Sequence, residues 1–113
     1  MTRYLYHMAR RPDWEQAEAL GTYAGSEDDL RDGFIHFSTA GQVVESARRH
    51  RAGQGDIVLV VAPEGSTGPW RWEPARSGEL FPHLYGTLLT RVVVAVHELP
   101  LGEDGLHVFP PLF

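Results

Sequence analysis

The chain has no cysteine, which excludes disulfides, thiolate nucleophiles and zinc–thiolate centres. It has no lysine either: all 10 basic residues are arginine, so neither a Schiff-base lysine nor a phosphate-loop lysine is available. Positive charge is scarce as a whole. Fifteen acidic residues give a net charge of −5, which argues against a protein that coats nucleic-acid phosphates. No apolar run is long enough to cross a bilayer and residues 1–11 lack the apolar stretch of a secretory leader, so a cytoplasmic chain without a membrane partner is expected. The six histidines show neither HExxH nor HxH spacing, and the metal signature is absent.

What is present suits one domain over residues 1–113. Apolar residues make up 42% and charged residues 22%, ordinary globular usage, while 12 glycines and 8 prolines imply many turns. Residues 3–8 read as a first strand with His7 near its end. Asp13 is expected to cap a helix through Leu20, with Trp14 and Ala17 on its inner face and Gly21 as the stop. Ser26 caps a single acidic turn that Gly33 ends.

Residues 34–38 read as a strand with Phe34, His36 and Ser38 on one face and Ile35 and Phe37 on the other. Ser38 or Thr39 then caps a helix to about His50, where Arg48, Arg49 and Arg51 oppose the C-terminal dipole. Residues 57–61 form a β-branched run suited to a strand buried on both faces, residues 63–69 a turn-rich link and residues 70–73 another strand. The strongest strand signal, Val92-Val93-Val94-Ala95-Val96, lies within residues 91–99, and residues 106–113 are a candidate edge pairing. The pattern is α+β.

His7, His36 and His83 each lie on or beside a strand segment, where they would either converge on a ligand or be held in hydrogen bonds. His50, His97 and His107 read as surface residues. At Ser38 and Thr39 a strand feeds a helix, a junction that suits an anion as well as an ordinary N-cap. GxSxG is missing, which argues against a serine hydrolase. Trp72, Glu73, Phe81, His83 and Tyr85 set rings beside a carboxylate and an imidazole, and they either wall a ligand cleft or plug a sheet end.

Tyr6-His7, Trp14, Gly33-Phe34-Ile35-His36-Phe37-Ser38, Gln42, Trp72-Glu73 and Phe81-Pro82-His83-Leu84-Tyr85-Gly86 together resemble the small bacterial domain-of-unknown-function 952 family over nearly the whole chain. That family resembles, more remotely, the ADP-ribosyltransferase fold. The resemblance implies a split β core with two or three short helices and NAD as the leading cofactor candidate. It would set His7 against the nicotinamide ribose, with His36, Ser38, Thr39 and Trp72 also lining the cleft. Glu73, His83 or Tyr85 would hold the third-strand catalytic position: a glutamate there resembles transferases of ADP-ribose, a histidine the branch that moves a phosphate from RNA to NAD. The enzyme reading also needs a clamp for the pyrophosphate, for which the sequence offers Arg3, Arg71, Arg76 or the helix start at Ser38. The rival reading is a non-catalytic module on the same fold that binds a small molecule or nucleotide or serves as an interaction module, and a three-histidine metal hydrolase stands third. Oligomeric state is left open. Clustered imidazoles repel when protonated, so at least one of the three should titrate below the ordinary histidine value.

Overall fold

The protein is described by a computed structural model covering residues 2–112. In chain order its strands are β1 (Tyr4–Arg10), β2 (Thr22–Tyr23), β3 (Ile35–His36), β4 (Ile57–Pro63), β5 (Trp70–Pro74), β6 (Leu80–Leu84), β7 (Leu88–Leu89) and β8 (Ala95–Glu98). Helix α1 (Arg11–Leu20) follows β1, α2 (Glu27–Asp32) follows β2 and α3 (Ala40–His50) follows β3. The architecture is α+β, with antiparallel sheets. Among the described residues no helix is long and apolar enough to cross a membrane.

β4 forms the centre of the first sheet. It pairs with β1 from Tyr4↔Pro63 to Arg10↔Ile57, and with β8 from Val58↔Glu98 to Val61↔Ala95. Flanked on both edges and covered on both faces, its β-branched residues are buried throughout, as their run implies. The second sheet has the order β3-β6-β5, and β2 pairs with β7. The two larger sheets meet where Tyr6 and Ser38 exchange a pair of backbone hydrogen bonds, each 2.8 Å. That seam sets His7 of β1 beside the end of β3.

Strand alternation splits the core in two. Leu5, Ala9, Val58, Val60 and Ala62 pack with Trp14 and Ala17 of α1, with Tyr23 and Leu88, and with Ile35, Phe37 and Leu84 from the second sheet. The opposite face of the first sheet, with Tyr6, Met8, Leu59 and Val61, is covered by Val43 and Ala47 of α3. Gln42 ties the start of that helix to the β5–β6 hairpin by donating to the Leu80 carbonyl (2.8 Å).

Several sequence expectations need correction. α1 begins at Arg11 with Arg10 as N-cap, and Asp13 falls in the first turn. Pro12 explains the shift, because proline fits the first helical positions, where no N–H is needed. Residues 91–99 are not one strand: Thr90–Val92 forms a 3-10 turn, and only Ala95–Glu98 pairs with β4. Val92 and Val93 pack on the first core instead, and the chain joins the edge of β4 only from Val94, whose N–H donates to the Val61 carbonyl (2.9 Å). The ring-rich stretch after Gly78 forms β6, the middle strand of its sheet. From residues 106–113, only the isolated bridge Leu101↔His107 appears, and Phe113 lies outside the described residues. His107 is half-buried, with its Nε2 donating to the Gln54 carbonyl (2.7 Å).

Trp14 is 3% exposed and meets Tyr23 edge-on with ring centroids 5.4 Å apart. Trp14→Ala is expected to lower the unfolding free energy by about 3–5 kcal/mol in urea denaturation, through lost burial and a cavity beneath α1. A loss below about 1 kcal/mol would show that the site collapses around the truncation.

Candidate functional site

The second sheet turns one face to the first core, through Ile35, Leu84, Trp70 and Trp72. By alternation its other face carries His36, His83, Arg71 and Glu73. His36, His83 and Arg71 are register partners across β3, β6 and β5, so they form one row. Phe34 stacks on His83 with centroids 4.0 Å apart and planes at 20°, and lies 4.5 Å from the His36 ring and 5.2 Å from Tyr85. His36 and His83 meet edge-on at 5.3 Å. The Arg71 guanidinium sits 4.7 Å over the Tyr85 ring. Asp29 and Asp32 of α2 reach the His36 ring on this face, and the His36 side chain is 43% exposed.

Glu73 organises the β5 side of the face. Its Oε1 accepts from His83 Nδ1 (2.8 Å) and from the Tyr85 hydroxyl (2.7 Å). The His83 hydrogen bond, then that of Tyr85, holds the carboxyl below the usual range, and the same bond pushes the Tyr85 phenol up. With the Nδ1 proton committed to a carboxylate, the His83 lone pair lies on Nε2, which has no hydrogen bond among the described residues. The His83 and Glu73 side chains are 13% and 35% exposed. An imidazole oriented by a carboxylate, with its far nitrogen uncommitted, is equipped to take and return a proton.

Asp29 organises the β3 side. Its carboxylate is 2% exposed: Oδ2 accepts from the Ser26 N–H (2.7 Å), and Oδ1 accepts from the His36 N–H (3.1 Å) and from His36 Nδ1 (2.5 Å). Burial opposes ionisation here, but the His36 imidazole and the two N–H groups outweigh it, and the carboxyl is held well below its ordinary value. The other His36 nitrogen, Nε2, lies 3.2 Å from Asp32 Oδ2. On the far side of Asp29, at 3.7 Å from Oδ2, lies His7 Nε2.

His7 is buried. Its Nδ1–H donates to the His36 carbonyl (2.6 Å) and its Nε2 accepts from the Tyr23 hydroxyl (2.7 Å). Burial lowers the imidazole below its ordinary value, against the attraction of Asp29, and burial also raises the Tyr23 phenol. The low titration of one histidine therefore has desolvation as its main cause, not the mutual repulsion expected from the sequence.

The expected site residues thus divide. His36, His83, Glu73 and Tyr85 share one face. His7 lies beneath it with both nitrogens engaged, so the three imidazoles do not open on a common cleft. Ser38 is buried at the seam, and Thr39 is the N-cap of α3, its N–H donating to Gln42 Oε1 (3.0 Å). Trp72 points the other way, with the Arg3 guanidinium 4.4 Å over its ring. Sequence reasoning missed Asp29, Asp32 and Tyr23, and it read Phe34 only as a strand residue. The sole local hint was an aspartate three residues after a capping serine, which also describes a plain capping box. Among the described residues no three His, Cys, Asp or Glu side chains are placed to hold a metal ion.

Folded His7 stays neutral where the unfolded chain takes up a proton, so the unfolded state binds more protons there and acidification favours it. Unfolding free energy should therefore fall between about pH 7 and pH 5, and fall again below about pH 4 as Asp29 and Glu73 are protonated. Urea denaturation as a function of pH checks this. His7→Gln should flatten the upper segment, and an unchanged slope in that variant would exclude His7 as its source.

The fold has close counterparts among solved structures. The crystal structure of protein CC0527 from Caulobacter crescentus is similar with a TM-score of 0.88 and 38% identity, covering 93% of each chain. The solution NMR structure of that protein gives a TM-score of 0.79 at 39% identity, covering 91% of this chain and 90% of that one. Among curated proteins no match is found. The family described as Protein of unknown function (DUF952) matches residues 8–96, and the chain belongs to that family.

Proposed function

We propose that this chain binds NAD or a related nucleotide on the open face of the second sheet, and that the Glu73–His83 pair moves a proton there during transfer of ADP-ribose or a phosphate. The observation that carries the reading is the shared Glu73 Oε1, which fixes His83 and Tyr85 together and leaves His83 Nε2 free of partners among the described residues. Loss of nicotinamide leaves an oxocarbenium-like sugar, which an ionised Glu73 would stabilise. Phe34 and Tyr85 offer ring surface, and Arg71 offers a cation for a phosphate. Two three-stranded sheets meeting at a seam support an ADP-ribosyltransferase-like split core. In this reading His7 braces the face through Asp29 and His36 and does not touch the nucleotide.

The second reading, a binding module without chemistry, is favoured by one specific observation. The histidine that the resemblance sets against the ribose is sealed, 3% exposed, beneath Tyr23 and the end of β3. Thermal-shift and calorimetric titrations with NAD and ADP-ribose, followed by assay for released nicotinamide and for phosphate transfer, separate the two. Saturating ligand, at about 100 times Kd, should add about 2.7 kcal/mol of stability. Glu73→Gln and His83→Ala should each weaken binding about tenfold, with a smaller loss of Tm for Glu73, which is 35% exposed, than for His83, which is 13% exposed and stacked on Phe34. Binding with no released nicotinamide and no phosphate transfer leaves the module reading; no stabilisation by either compound overturns both.

A further inference from the structure

β8 lies at one end of the first sheet, with β4 as its only ladder partner. The Leu99 N–H donates to the Ile57 carbonyl (3.1 Å), so Leu99 and, two and four residues back, His97 and Ala95 turn their backbone groups toward β4. Val96 and Glu98 therefore turn theirs outward, where no backbone partner meets them among the described residues. The C-terminal segment covers this edge only further along, where the Gly102 N–H donates to the Leu106 carbonyl and the Val108 N–H to the Pro100 carbonyl (both 2.8 Å). Beyond Val108 the chain runs through Pro110 and Pro111, which have no N–H to offer a ladder, while Phe109 and Leu112 pack on the second core.

A free edge is commonly guarded by a lysine or a proline. β8 has neither, since the chain contains no lysine and Ala95–Glu98 no proline. Its one carboxylate, Glu98, is ion-paired with Arg11 (2.5 Å), which removes the charge that would repel another strand. Val94 and Val96 stand there 53% and 40% exposed. The parity of the outward groups selects the partner, because an antiparallel neighbour must offer its own outward groups with its side chains on matching faces. β8 meets that condition against itself. With Val96 opposite Val96 of another copy, about a two-fold axis perpendicular to the sheet, the two residues exchange both N–H···O=C bonds. Ala95 then falls opposite His97 of the other copy, small against large, and the two Glu98 carboxylates lie apart on either side of the axis.

We propose that β8 is a self-association edge: two copies of this chain pair antiparallel through Ala95–Glu98, Val96 against Val96, and join their three-stranded sheets into one of six strands. Val96 lies opposite Val60 of the first core, so the valine pair extends that face of the sheet across the axis. Only four residues from each side take part, which makes the contact a weak one, with Kd between about 10 μM and 1 mM. The pairing does not depend on the nucleotide reading of the open sheet face.

Sedimentation equilibrium from about 10 μM to 1 mM tests it, and a reversible monomer–dimer equilibrium is expected in that range. In a mixture of isotope-labelled and unlabelled chains, an NOE between the Hα atoms of Ala95 and His97 on different copies should report the register, since that pair is the close, non-hydrogen-bonded one. Val96→Lys and Val96→Glu should each be monomeric throughout, because each sets a charge directly opposite its own copy, whereas an equimolar mixture of the two should associate again. Val96 is exposed, and an unchanged Tm confirms that both variants fold. Leu20→Lys, an equally new charge on the exposed end of α1, should associate as the parent does. A parent that stays monomeric to about 1 mM, a Val96→Lys chain that dimerises like the parent, or a mixture of the two variants that stays monomeric would each overturn the proposal.

Discussion

One buried carboxylate holds the two halves of the site in place. Asp29 would be costly to bury alone, and the cost is offset because its oxygens accept from the Ser26 N–H, the His36 N–H and the His36 imidazole, with His7 close by. Those donors come from the start of α2 and from β3, with His7 on β1, so a single charge fixes how three elements meet. The His36 ring is oriented by this carboxylate and in turn borders Phe34 and His83. Geometry on the open sheet face is thus inherited from a charge beneath it.

The seam at Tyr6 and Ser38 makes that arrangement reachable. β1 donates one side of its ladder to β4 and only a single bridge to the segment after β3, so the sheets diverge past the bridge. His7 occupies the divergence and finds partners on both flanks, the His36 carbonyl and the Tyr23 hydroxyl. A continuous sheet would have used the same carbonyl in a ladder. The helices sort accordingly: α1 and α3 cover the two faces of the first sheet, while the outer face of the second keeps polar residues, with Asp29 and Asp32 of α2 at its β3 edge.

The open sheet face is nearly self-neutralised, with Glu73 answering His83, and with Asp29 and Asp32 answering His36. Such pairs orient groups for chemistry more than they attract a charged ligand from afar. Tyr23 has its phenol bonded to His7 and its ring in the core.

Local pattern was enough for much of this. Alternation in residues 34–38 separated Phe34, His36 and Ser38 from Ile35 and Phe37, because a half-buried strand has period two. The apolar run of β4, the inner face of α1 at Trp14 and Ala17, the cap of α2 and the glycine stops were legible for the same reason: each follows from backbone geometry within a few residues. The motif resemblance brought His36, His83, Glu73 and Tyr85 into one set. Tertiary structure alone decided the rest. Whether Val92 and Val93 joined a strand depended on where the chain met the edge of β4, and residues 80–84 became the middle strand of a sheet through their neighbours β3 and β5. His7 became a brace because Tyr23 and Asp29 close over it, and Asp29 became the hub because its capping position happens to face His36. Burial and hydrogen-bond partners contributed by distant segments set those roles, and no periodicity along the chain encodes them.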